Sequence, residues 1–193
     1  MGEWMTRAFA ALEAEAPANR TGVEGLRAGL YRDGRIDAGE AARLIGMHRS
    51  GEGPALGPCW EAFLVEALVD HYAVQREMAA DSAPASLGEM EADGLIAGFE
   101  ANGGAHLDAV EIRLLTALYG RVVRLPSRLH AFARRALAEA IGKDGALGAD
   151  EAAFAKAVLH GPASEAGIQL TAEEEALVAR LDALDGPALH AAE

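Results

Sequence analysis

The sequence predicts an all-α protein, a single compact orthogonal helical bundle of about eight to nine short helices. Three observations lead there. Ala, Leu and Glu dominate, and aromatic residues make up only 5% of the 193 positions. Apolar residues recur at three- and four-residue spacing almost everywhere, while the period-two alternation of a half-buried strand is nearly absent. Breakers such as Pro17, Gly34, Gly51, Pro54 and Pro84 recur at short intervals and keep the segments short.

Taken in order, Trp4, Met5, Ala8, Phe9 and Leu12 share one face of an amphipathic helix over about 2–16. After Pro17-Ala18-Asn19, a short helix over about 22–31 presents Val23, Leu26, Ala28 and Leu30, and ends at Asp33-Gly34. A third helix, about 37–48, turns Ala41, Leu44 and Ile45 inward. The longest is expected over about 58–79, with Trp60, Phe63, Leu64, Ala67, Leu68 and His71 forming a wide stripe. Further helices follow over about 87–101, 108–123, 126–142, 149–160 and 172–184. That over 126–142 carries Leu129, Phe132, Ala133, Ala136, Leu137, Ala140 and Ile141 on one stripe, with Pro126 at the favoured first position. The links are too short to separate two domains, so one domain is expected over 1–185, with 186–193 a frayed tail.

One pattern recurs before the helices: an apolar residue, a capping position, two arbitrary residues and Glu. It occurs at Ile36-Asp37-Ala38-Gly39-Glu40, Leu107-Asp108-Ala109-Val110-Glu111, Leu147-Gly148-Ala149-Asp150-Glu151 and Leu170-Thr171-Ala172-Glu173-Glu174. A fifth copy, Leu87-Gly88-Glu89-Met90-Glu91, competes with a cap formed by Ser86 and Glu89. The plain reading is a capping box, with Asp or Thr accepting from free amides and Glu reaching back, favoured by the helix dipole.

The sharper reading is a cation loop. Asp33-Gly34-Arg35-Ile36 with Glu40, and Asp144-Gly145-Ala146-Leu147 with Glu151, match the later positions of an EF-hand loop but not its first and third ligands. The best-stocked candidate for a divalent metal is Glu100, Asn102, Asp108 and Glu111, although Ala105 stands where the loop wants glycine. The Asp-Gly-x-apolar-x-x-x-Glu element resembles the repeated signature of TerB-like tellurite-resistance helical domains. The stretch from Cys59-Trp60-Glu61 through Asp70-His71-Tyr72 is similar to helical proteins of alphaproteobacteria. The resemblance covers about residues 31–160 and implies a helical fold, an association with metal stress and an acidic metal-binding patch.

Charge is segregated. The chain carries 17 basic and 30 acidic residues, a formal −13. Residues 112–138 hold no acid and six arginines, Arg113, Arg121, Arg124, Arg128, Arg134 and Arg135, leaving 11 basic against 30 acidic residues elsewhere. Arg121, Arg124, Arg128 and Arg135 are the candidates for holding an anion, an acidic partner or a second copy of the chain. The alternative is that the arginines pair with acids within the fold. The acidic remainder argues against nucleic acid, whose binding rests on phosphate neutralisation.

No enzyme signature appears. His48, His71, His106, His130, His160 and His190 form no HExxH or ExxH spacing, and no phosphate loop or nucleophile elbow is present. His71 reads as a core histidine with a hydrogen-bond partner, and Cys59, the lone cysteine, as a packed small residue. With no membrane-length apolar run and no signal-like N-terminus, a cytoplasmic protein is expected. The function expected is a non-enzymatic helical module acting through a protein partner or self-association, without a resident cofactor. The alternative is a metal-responsive binding protein.

Overall fold

In the computed structural model, the structure describes residues 20–52, 58–75, 86–101, 106–144 and 148–160, with 171–172, 175–177 and 179. The expected helix over 2–16 and the tail from 186 lie outside the described residues. The chain is all-α, with no strand among the described residues. Among the described residues, seven α-helices can be bounded: α1 Arg20–Leu30, α2 Ala38–Ser50, α3 Pro58–Val69, α4 Glu89–Glu100, α5 Ala109–Arg121, α6 Ser127–Asp144 and α7 Ala149–His160. No helix among the described residues is long and apolar enough to cross a membrane.

Helices of 11–13 residues are marginal alone, so their ends matter. Asp37 Oδ1 accepts from Glu40 N at 2.7 Å while Glu40 Oε2 accepts from Asp37 N at 2.9 Å, opening α2 with a full capping box. The same exchange opens α5 between Asp108 and Glu111. At α4 and α7, glycine holds the cap and only the return bond exists: Gly88 N to Glu91 at 2.6 Å, and Gly148 N to Glu151 at 2.7 Å. Glu91, not the competing Glu89, is therefore the residue that caps α4. The preceding apolar residues Ile36, Leu87 and Leu107 are all buried. The C-terminus of α2 closes on Gly51, whose φ of 85° is left-handed and whose amide reaches His48 O.

The buried side chains form one core cluster. α5 lies at its centre, packed against both α3 and α7, with Val110, Ile112, Leu114, Leu115, Leu118 and Tyr119 buried on several sides. Around it, α1 packs on α3, α2 on α3 and α4, α4 on α6, and α6 on α7. The expected stripe of α3 is buried at Trp60, Phe63, Leu64, Ala67 and Leu68, and that of α6 from Leu129 to Leu137. Ala28 departs from expectation: it is exposed, because the buried face of α1 is set by Val23, Leu26 and Leu30.

The expected continuous helix over 58–79 changes form at Val69, where Asp70–Val74 make a π-helical turn. That turn clamps the loop before α2. His71 Nδ1–H donates to Ile36 O at 2.6 Å. The Gln75 amide, oriented to satisfy both groups, donates to Ile36 O at 3.2 Å and accepts from Ile36 N at 2.8 Å. Buried backbone groups outside a helix need such partners, and the wider turn supplies them from one neighbour.

Two glycines of α4 have opposite roles. A Cβ at Gly98 would lie 2.8 Å from Ile45 Cγ2, so the missing side chain is what lets α4 approach α2. Gly94 is exposed with open space around it. Gly98→Ala should destabilise the fold by about 1–3 kcal/mol through overpacking, whereas Gly94→Ala should stabilise it by about 0.5–1 kcal/mol. Urea unfolding of the two variants checks both signs.

Candidate functional site

Two features stand apart from ordinary core and surface. The first is a polar network where the end of α2 meets the start of α5. His48 continues the stripe of Ala41, Leu44 and Ile45 into the core and is buried, as is Glu111. His48 Nε2 lies 2.7 Å from Asp108 Oδ2, and the Trp60 indole N–H points at His48 Nδ1 at 3.5 Å. Because indole only donates, Nδ1 accepts and Nε2 carries the hydrogen that Asp108 receives. Asp108 Oδ1 meanwhile accepts from the amides of Val110 and Glu111 at 2.9 and 3.0 Å. Glu111 Oε2 accepts from Asp108 N at 3.0 Å and from an Arg49 terminal nitrogen at 2.8 Å, while Arg49 Nε sits 2.5 Å from Oε1. Arg49 also reaches His106 O at 3.4 Å.

These contacts set the charges. Burial works against the Asp108 carboxylate, but the His48 hydrogen bond and the Glu111 and Val110 amides outweigh it and hold it below its ordinary pKa. Burial pushes Glu111 above its ordinary value, and the Asp108 charge adds to the rise; the Asp108 amide and Arg49 oppose it.

Donor atoms of His48, Asp108 and Glu111 lie within 4.8 Å of one another, close enough to share a cation. Such an ion would have to displace Arg49 from Glu111. It would also need His48 to turn a lone pair outward from Nε2, against the preference that Trp60 imposes. Of the three described residues of the expected metal set, Asp108 and Glu111 come together and Glu100 does not. Glu100 is exposed at the end of α4 and faces Arg135 at 3.3 Å, and Asn102 lies outside the described residues. Sequence reasoning missed His48 and Arg49. A polar residue on an apolar stripe was the available signal for His48; Arg49 had none.

The arginines largely find acids within the fold. Arg113 meets Glu61 at 2.7 Å and Asp150 at 3.6 Å. Arg128 pairs with Asp93, and Arg135 with Glu100 while lying over the Phe132 ring. Arg128 and Arg135 therefore flank a cleft between α4 and α6. Arg124 is exposed in the link after α5, where its carbonyl accepts from Leu87 N at 3.1 Å. Arg121 lies elsewhere, on the rim of the second feature.

That feature is a groove of about 720 Å³ over α3. Ala62, Val65 and Val69 form its floor, Ala28 of α1 and Tyr31 in the turn after it one wall, and Ala117 of α5 the other. Charges ring it: Arg27 grips Glu66 through two bonds of 2.5 and 2.6 Å, and Glu24, Asp70 and Arg121 complete the rim. Burial, followed by the charge and hydrogen bond of Asp70, raises the Tyr31 pKa, so its hydroxyl stays protonated and donates. His71 does not line the groove, and its Nδ1 is committed to Ile36. Cys59 is exposed at the start of α3 rather than packed. No known protein family, curated protein or solved structure matches this chain.

The network makes two predictions. Glu111→Gln should destabilise the fold by about 3 kcal/mol, the lower end for breaking a buried ion pair, because Arg49 retains 15% exposure; denaturant melts at neutral pH measure it. Asp108 has a folded pKa below its unfolded value of about 4. Its contribution is complete above that value and is lost as pH falls through the depressed folded one. Glu111 acts in the opposite sense, favouring the folded state at low pH and losing that effect as pH rises through its raised value. Asp108→Asn should therefore flatten the acid limb of the stability curve, measured by melts between about pH 5 and about pH 2.

Proposed function

We propose that this protein is a non-enzymatic interaction module that binds an amphipathic helix in the groove over α3. The groove itself carries the reading. Its floor and walls are small and apolar at helical spacing, Ala62, Val65 and Val69 facing Ala28 and Ala117. Small residues let a further helix approach closely, and the apolar stripe of that helix would read the floor at i, i+3, i+4 and i+7. The mixed charges on the rim suit a helix whose flanks also carry both signs. An apolar surface ringed by charge marks a contact site more often than a catalytic one. Among the described residues that line the groove there is no histidine or cysteine to act as base or nucleophile.

Panning a library of helical peptides against the full chain tests this. Enriched sequences should share an apolar i, i+3, i+4, i+7 stripe. Ala62→Arg, an exposed change on the floor, should weaken them at least about tenfold, or about 1.4 kcal/mol. Enriched peptides indifferent to Ala62→Arg would sink the proposal.

A second reading rests on the convergence of His48, Asp108 and Glu111. A mixed imidazole–carboxylate set suits zinc or manganese better than calcium, and the resemblance to TerB-like domains adds a reason to look. Arg49 is the competitor. Calorimetric titration of chelator-treated protein with zinc, manganese and calcium should show saturable binding that strengthens in Arg49→Leu and disappears in Glu111→Gln. Absence of heat in both wild type and Arg49→Leu would leave the cluster as a structural joint.

A further inference from the structure

The cleft between α4 and α6 presents a surface that complements itself. Its two ion pairs fix the geometry. Arg128 meets Asp93 and Arg135 meets Glu100, each pair 35 positions apart in sequence. Seven residues along one helix match seven along the other, so α4 and α6 run the same way and in step. The pairs stand about 10 Å apart along the cleft. All four side chains are exposed, the acids as a row on α4 and the arginines as a row on α6. Between the rows lie the exposed Ala97 and Ala131 and the half-buried Ile96. Beneath them Phe99 and Phe132, both buried, stack with ring centres 5.9 Å apart and hold the two helices together.

The same surface has an apolar end. Met90, Asp93, Ala97 and Glu100 follow one another at spacings of three, four and three, which is one side of α4. Met90 is 87% exposed and Val123 48%, the two exposed large apolar side chains among the described residues. Val123 stands in the link that enters α6. That link runs beside the chain entering α4, where Leu87 N donates to Arg124 O. Both apolar residues therefore stand near the end at which the two helices begin.

We propose that a second copy of this chain docks on the cleft, about a twofold axis running along it. That axis sets α4 of each copy over α6 of the other. Asp93 then faces Arg128 of the second copy at its own level, and Glu100 faces Arg135 of the second copy. A guanidinium has five N–H donors, enough to serve its own carboxylate and the one opposite. The axis also brings like ends together, so Met90 and Val123 of both copies cover one another. A twofold axis across the helices would instead set acid row on acid row, and the apolar end against the Glu100 end. Charge and apolar placement thus select the same axis. Such an isologous contact closes at two copies. The cleft shares no lining residue with the groove over α3, so the inference stands apart from the helix-binding reading.

Sedimentation equilibrium of the full chain tests it, in about 0.15 M salt to screen the long-range repulsion between two acidic copies. The wild type should dimerise reversibly. Asp93→Lys with Glu100→Lys makes both rows basic, and Arg128→Glu with Arg135→Glu makes both acidic. Each double variant should weaken self-association at least about tenfold. Mixed in equal amounts, the two should form a heterodimer, because every row then faces its opposite. Ala97→Arg, on the exposed floor, should weaken the dimer by a similar factor and leaves the ion pairs untouched, so it serves even if a double variant fails to fold. A wild type that stays monomeric up to about 1 mM would overturn the proposal. So would a dimer indifferent to Ala97→Arg, or two folded double variants that do not pair when mixed.

Discussion

The contact between Arg49 and Glu111 is the constraint around which the bundle is arranged. It brings opposite charges to 2.5 Å, with Glu111 almost fully buried. An isolated carboxylate at that depth would be strongly disfavoured, so α2 must deliver Arg49 to the first turn of α5 and nowhere else. Beside it, the bond from His48 to Asp108 ties the same two helices, and the Trp60 indole links α3 to the joint. Apolar contacts tolerate sliding by part of a turn. This network does not, because its donors must meet acceptors at fixed places near the ends of α2 and α5. It therefore specifies the register of α2, α3 and α5, and the groove over α3 inherits its shape from that register.

Capping and core formation act together at these helix ends. Asp108 and Glu111 close the N-terminus of α5 with the same carboxylates that meet His48 and Arg49, so the end of one helix is also a tertiary contact. At α2 the box of Asp37 and Glu40 stands next to Ile36, whose backbone is held by the π-turn. At α2, α4 and α5 the motif thus starts a helix and inserts a buried apolar residue just before it. Short helices gain little from propensity alone, and this arrangement couples their initiation to burial of the core.

Charge is redistributed on folding. Six arginines without an intervening acid look like a basic patch along the chain. Yet Arg113 finds Glu61, 52 positions away, and Arg128 and Arg135 find Asp93 and Glu100, each 35 positions away. The segment covers α5 and α6, and its acidic counterparts sit on the helices packed against them. Exposed pairs of this kind contribute little to stability. Their effect is to neutralise what linear sequence presents as an anomaly, and to leave Arg121 on the rim of the groove.

The sequence by itself determined what is local: the helical class, the stripes of α3 and α6, and the caps at Asp37 and Asp108. Each depends on residues within a turn or two of one another, so spacing alone reveals it. It also paired Asp108 with Glu111, since a cap and its return partner are three residues apart. Only the tertiary structure decided that His48 and Arg49 join them, because the partners lie about 60 positions apart in sequence. The same holds for the π-turn that serves Ile36 and for the exposure of Ala28, which looked like core. The groove belongs to this second class: its floor and walls come from three helices, and a concavity exists only where helices leave space between them.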